Sequence, residues 1–281
     1  METSNHSKNG ASPKSQMSRE KIRKMTAKKN LYSVLTLIVF ALLCLGCGTT
    51  KKITTPLVVP DFDFSPPSPV ASGSAGIKIG LVDPVYSGNF AYSNKSPFSQ
   101  FRKNMGNDFQ EILTARGYIL KGPYEAYDLM TYSDKNECEL GLDIEIDLNI
   151  LQTSGGWKRV PPNYSPYALS RGNYSTYGGT LNLSGKITIS IIETFTRQKL
   201  LVKSVPVPQE NITVEAEGQY NFDATLIPLE DPGVHNPIAN SLSSFYKTTM
   251  KRGWDMLAKE ELEHVQKQVP EIREAAGFIK K

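Results

Sequence analysis

Histidine and cysteine are scarce in this chain of 281 residues, three of each, and that scarcity removes most familiar chemistries. No Gly-x-Ser-x-Gly, His-Glu-x-x-His, paired Cys-x-x-Cys or phosphate-loop pattern occurs, so no nucleophile elbow, zinc-protease helix or nucleotide cradle is predicted. No catalytic residue, metal or cofactor is expected. An apolar run long enough to span a bilayer is missing too: residues 31–45 number 15, against the roughly 20 that a spanning helix needs.

That short run has a telling context. Lys21, Arg23, Lys24, Lys28 and Lys29 precede it, and Leu45-Gly46-Cys47 closes it. A basic leader, an apolar core and a small residue before a cysteine predict a cleaved lipoprotein signal over residues 1–46, with Cys47 as the lipidation site. Cys44 is the poorer acceptor because Leu43 precedes it, and it occupies the position three before Cys47 where leucine is usual. The alternative is an uncleaved N-terminal anchor helix. Either way the remainder is exported and its first partner is a membrane. Gly48 stands where aspartate would favour retention in the inner membrane of a Gram-negative cell, so the outer membrane is the expected destination.

Residues 1–46 hold 8 of the 32 basic and 2 of the 28 acidic side chains, which leaves 24 basic against 26 acidic, a net charge of −2. The mature chain therefore has no electrostatic footprint for nucleic acid. With Cys47 acylated, only Cys138 remains; no intramolecular disulfide can form, and Cys138 reads as a small packing residue. His235 and His264 are the remaining histidines, the first beside a helix start and the second on a charged, solvated helix.

Residues 47–76 carry Pro56, Pro60, Pro66, Pro67 and Pro69 among serines and glycines, and read as a tether. Phe62 and Phe64 keep a second reading open, an arm packed on the domain, because disordered stretches are poor in aromatics. Residues 77–281 are expected to be a single domain. Ile77, Ile79, Leu81 and Val85 mark a strand that Asp83-Pro84 ends or bends. Ser96 then caps a helix with Pro97 in its first turn; Phe98, Phe101, Met105, Phe109, Ile112 and Leu113 follow at helical spacing, and Gly117 closes it. From 140 to 150, Leu140, Leu142, Ile144, Ile146, Leu148 and Ile150 alternate with Gly141, Asp143, Glu145, Asp147 and Asn149, the period of a half-buried strand. A hairpin follows, with Ile187, Ile189 and Ile191 inward, a turn at Arg197-Gln198-Lys199, and Pro206 and Pro208 ending the pairing. The last third runs helical from Asn236-Pro237 through Leu262, loosened at Gly253, with a short helix over 271–278. The class is α+β, with a largely antiparallel sheet packed by amphipathic helices and a long C-terminal helical segment.

Asp143, Glu145 and Asp147 line one strand face, but carboxylates spread along a line suit cross-strand neutralisation by Lys186 or Lys203 better than a calcium site, whose oxygens converge from loops. Residues 153–179 are the candidate recognition loop. They hold Trp157-Lys158-Arg159 and a repeat ten residues apart, Tyr164 and Tyr167 then Tyr174 and Tyr177, with Arg171 between. Tyrosine, serine, glycine and asparagine are what binding loops favour; aromatic faces stack on sugar rings, and Lys158, Arg159 or Arg171 would meet an acidic sugar's carboxylate. The competing reading is a mobile or self-associating loop.

Several segments recur in a familiar order: Ile79-Gly80-Leu81-Val82-Asp83-Pro84 leading to Tyr92-Ser93, Ile112-Leu113 through Arg116-Gly117-Tyr118, the Asp134-Lys135 turn, Gly185-Lys186-Ile187 with Glu193, and the helix over 257–263. In these the chain resembles the neuraminyllactose-binding hemagglutinin family, lipoprotein adhesins of Gram-negative bacteria. The resemblance implies a surface or outer-membrane lipoprotein that binds sialylated glycans. The family's proposed sialic-acid-binding segment, a short basic run after the long strand, falls here at Lys158-Arg159, followed by Val160-Pro161-Pro162. An assembly lipoprotein contacting other envelope proteins is the alternative, and an envelope hydrolase the third.

Overall fold

The computed structural model describes residues 55–160, 174–218, 220–221 and 226–278. Cys47, Tyr164, Tyr167 and Arg171 lie outside them.

The chain first forms β1 (Lys78–Val82) and, past Asp83-Pro84, the two-residue β2 (Val85–Tyr86). Helix α1 (Phe98–Ala115) buries Phe98, Phe101, Met105, Phe109, Ile112 and Leu113, the stripe its spacing predicts. Gly117, at φ +81, ends it in a conformation that side-chain-bearing residues avoid. Ser96 is not its cap. Pro97 holds that position without a side-chain bond, and the Ser96 hydroxyl turns instead to Gln100 Oε1 at 3.1 Å and His235 Nε2 at 2.9 Å. The helix returns the chain to β3 (Ile119–Tyr124), which lies parallel to β1. Thr131 and Asp134 then cap each other across the first turn of α2 (Tyr132–Glu137).

Three long strands follow: β4 (Leu140–Val160), β5 (Tyr174–Glu193) and β6 (Lys199–Glu215). The sheet order is β3-β1-β4-β5-β6, with β2 beside β4 and β7 (Tyr220–Asn221) beside β5. The expectation of a largely antiparallel sheet needs correction: the sheet is mixed. Helix α1 and the 3-10 turn with α2 each carry the chain back before the next strand, so β3, β1 and β4 run alike. The hairpins β4–β5 and β5–β6 alternate in direction, and β7 runs antiparallel to β5.

In the register Ile144↔Ile189 and Ile146↔Ile187, all the inward residues of the alternating run are buried, as its period predicts. Two boundaries differ. β4 continues ten residues past Ile150 and β5 begins at Tyr174, so much of the expected loop 153–179 is paired strand. β6 also runs on through Pro206 and Pro208: it is an edge strand, and a register shift opposite Ser184 accommodates Pro208, so neither proline removes an essential ladder bond.

Helix α3 (Pro232–Met256) starts at an Asp231 cap rather than at Asn236, leaving Pro237 inside its second turn. It lies over β6 and α1. Gly253 does not loosen it; the Phe109 ring passes so close that a Cβ would stand 2.8 Å from it. Helices α4 (Lys259–Gln266) and α5 (Val269–Ala275) complete the chain, with Pro270 in the first turn of α5. α1 and α3 cover one sheet face over the main core, and Val82, Tyr127, Met130, Cys138 and Ile192 form a smaller cluster.

Part of the segment expected to be a tether is seated on this domain. Phe62 is 3% exposed and meets Phe101 and Tyr246, each at 5.3 Å between ring centres. Within residues 56–64, Pro60 and Phe62 are buried and Phe64 is half-buried against the core.

Candidate binding surface

The residues around Trp157 sit at the far end of β4 and the start of β5. A register shift between Gln152 and Ser154 lies just before Gly155 (φ +74) and Gly156 (φ +116), which face Gly179 (φ +148) and Gly178. Only glycine allows this crossing. A Cβ on Gly155 would collide with the Gly178 carbonyl oxygen, and one on Gly179 with that of Ser154.

Beyond the glycines the pairs are Trp157↔Tyr177, Lys158↔Thr176 and Arg159↔Ser175. Successive residues of a strand face opposite ways. Lys158 is therefore on the other face from Trp157, so the expected patch of stacking ring and paired cations is split across the ribbon. Both cations are exposed. Trp157 is half-buried, its ring edge-on to Tyr177 at 5.0 Å and to Tyr220 at 5.4 Å, and its Nε1 is buried without an acceptor. Tyr177 is 3% exposed, and its hydroxyl donates to Gln152 Oε1. Burial, with Tyr92 nearby, pushes its phenol up to about 12. Tyr177 is thus a packing residue of this region and cannot present its ring to a ligand. The backbone of Tyr174 pairs with Val160 and Asn221.

Sequence reasoning missed Tyr220, Gln152 and Asp231. Asp231 ties the region to α3: its carboxylate accepts from the amides of Glu217, Gly218 and Gly233 at 2.8 to 2.9 Å and from the Tyr220 hydroxyl at 2.9 Å. Asp-Pro at 231–232 is a helix-start signal that pointed to it.

Asp147 meets Lys186 at 3.9 Å, the cross-strand neutralisation its position predicts. No group of three His, Cys, Asp or Glu side chains converges among the described residues. Ser96 Oγ and His235 Nε2, 2.9 Å apart with His235 Nδ1 3.2 Å from Asn236 Oδ1, have the spacing of a nucleophile and its base. Pro97 follows the serine, so the amide next to it in the chain is missing as an oxyanion donor. His264 is exposed on α4. Among the described residues no helix is long and apolar enough to cross a membrane.

No protein-family model and no curated protein matches the sequence. Solved structures do. A Helicobacter pylori protein described as a neuraminyllactose-binding hemagglutinin homologue superposes with a TM-score of 0.53 at 16% identity, over 76% of this chain and 100% of its own. The fold is shared. A minor lipoprotein of Acinetobacter baumannii (TM-score 0.25, 10% identity, 64% of this chain and 89% of its own) and a lipoprotein of Neisseria meningitidis (0.24, 12%, 63% and 99%) also match. Scores that low carry no argument, and at 16% identity the first match speaks for fold alone.

Proposed function

We propose that this chain is a lipid-anchored protein of the outer membrane, held through Cys47, that acts as an adhesin for sialylated glycans without catalysing a reaction. The observation that carries the reading is the β4–β5 ribbon. It exposes Arg159 on the face that carries Trp157 and Lys158 on the other, and the Trp157 indole N–H has no acceptor among the described residues. A sugar carboxylate would meet one of the two cations, and the buried indole N–H would reach a sugar hydroxyl only with the ring turned out of its cluster. The fold shared with the Helicobacter pylori protein, whose description names neuraminyllactose, supports the same ligand class. The leader and Leu45-Gly46-Cys47 support the anchor.

The second reading is an assembly lipoprotein contacting envelope proteins. It is favoured by β6, a 17-residue strand at the end of the sheet order. A glycan array probed with the full chain in detergent separates the two. Retention on sialylated glycans, lost on sialidase treatment, is expected; no retention on any glycan favours the assembly reading.

A further inference from the structure

The arm over residues 56–64 is fastened in a way that differs from the rest of the fold. It adds no strand to the sheet. At its outer end the Asn236 side chain brackets it, accepting from the Val58 amide at 2.8 Å and donating to the Pro56 carbonyl at 3.0 Å. Lys247 meets Asp61 at 2.8 Å, but both side chains are more than half exposed, so the pair contributes little. Leu57, Val58 and Val59 face solvent. The firm attachment is at the inner end. There the Phe62 ring enters the groove between α1 and α3 against Phe101 and Tyr246, and Asn104 Nδ2 donates to the Phe62 carbonyl at 3.0 Å. Beside it Asp108, on α1, is 4% exposed and accepts from the Tyr246 hydroxyl at 2.9 Å and from the Phe64 amide.

We infer that residues 56–64 form a strap that unlatches from the groove between α1 and α3 while the sheet stays folded, and that closes more tightly in acid.

Two arguments support it. A segment held by the buried Phe62 and Pro60, the half-buried Phe64 and a few side-chain bonds, with no strand pairing, opens at lower cost than a sheet whose strands are paired along their length. The second concerns Asp108. The groups that face it are Asp63 on the arm, Glu111 on its own helix and Tyr246 on α3, with Lys247 engaged by Asp61. Burial is the main influence, reinforced by Asp63 and Glu111 and opposed by the bonds from Tyr246 and Phe64, and the carboxyl is pushed from 3.8 up to about 6. Opening the strap removes Asp63 and admits water, which returns the carboxyl towards its ordinary value. A pKa raised in the closed state means that the closed state holds the proton more tightly. Closure is therefore favoured below pH 6 and weakens as pH rises through it. On the reading of Cys47 as the anchor, unlatching lengthens the leash between membrane and domain by roughly 3 Å for each residue freed.

Amide hydrogen exchange on the full chain in detergent tests the strap and does not depend on glycan binding or lipidation. Protection factors for residues 57–64 should lie well below those of residues 140–150, and should rise about tenfold from pH 7.5 to pH 5. Asp108→Asn should abolish that pH dependence. Phe62→Ala should strip protection from the arm at both pH values and leave β4 protected. Equal protection of arm and β4, or loss of both together in Phe62→Ala, overturns the strap. An unchanged pH profile in Asp108→Asn overturns its control by acid.

Discussion

Arg273 Nε, in the last helix, lies 2.7 Å from Oε1 of Glu193 at the end of β5, and both side chains are withdrawn from solvent. The second carboxylate oxygen accepts from the Phe195 and Thr196 amides and the Thr196 hydroxyl, and Arg273 Nη2 reaches Thr194 Oγ1 and the Lys135 carbonyl. One ion pair thus fastens α5, α2 and the turn of the β5–β6 hairpin together. Burial alone would raise the Glu193 pKa, but the bonds from Thr196, Arg273 and Phe195 outweigh it and hold it below the ordinary range.

Removing one partner should be costly because the other is left charged and buried. Arg273→Met is expected to destabilise by about 3–5 kcal/mol, and the double variant with Glu193→Gln by less than the two single losses together. A depressed carboxylate stabilises the fold above its unfolded value, near 4.5, and that stability is lost as pH falls through the folded value. Glu193→Gln should therefore flatten the acid side of the stability profile. Urea melts from pH 3 to 7 check both outcomes.

Gly253 yields the opposite result from the usual helix rule. In an exposed helix Gly→Ala gains about 1 kcal/mol, but here the new Cβ would stand 2.8 Å from Phe109 Cε1. Overpacking by one methyl costs about 1–3 kcal/mol. Gly253→Ala should lower the urea midpoint, and adding Phe109→Leu should recover part of the loss.

Burial pushes the Cys138 thiol up to about 11, with Lys121 only partly opposing it. At pH 8 its thiolate fraction is therefore on the order of one in a thousand. The tryptic peptide carrying Cys138 should stay unmodified by iodoacetamide in the native protein and become fully alkylated in urea. Rapid alkylation of the folded protein would contradict the packing role.

What was legible in the sequence is what one buried face imposes. Residues 140–150 and 187–191 alternate because the helices cover only one side of them, and α1 announces itself by its apolar stripe. Past Ile150 the residues of β4 are exposed or half-buried without alternation, and the period vanishes although the pairing with β5 continues. β3 was hidden for another reason: Leu-Lys-Gly-Pro has no alternation, and its strand exists because β1 offers a parallel edge. The arm depended on a pocket built from Phe101 and Tyr246, far away in the chain, so Phe62 could suggest packing without deciding it. At the candidate surface the residue types were legible and their roles were not. Trp157 and Tyr177 looked like a recognition pair because no local signal revealed Tyr220, which closes them into a packed aromatic cluster.

That cluster changes what mutation of the surface should do. Read from sequence, Trp157 stood apart from the core; its packing on Tyr177 and Tyr220 now predicts that Trp157→Ala costs about 1–3 kcal/mol, less than a fully buried tryptophan. Loss of binding in that variant alone would be ambiguous. Lys158 gives the cleaner test, since it is exposed on the opposite face of the ribbon, and Lys158→Ala should leave the melting midpoint within about 0.5 kcal/mol of the parent. If the ribbon tip is the glycan-binding surface, Lys158→Ala should weaken retention on sialylated glycans, and by more at low salt than at high, because exposed charges are screened. Trp157→Phe should keep most of the packing while losing the indole N–H, so weaker binding without a lower melting point would assign that donor to the ligand. Parent-like binding in both variants would place recognition elsewhere and strengthen the assembly reading.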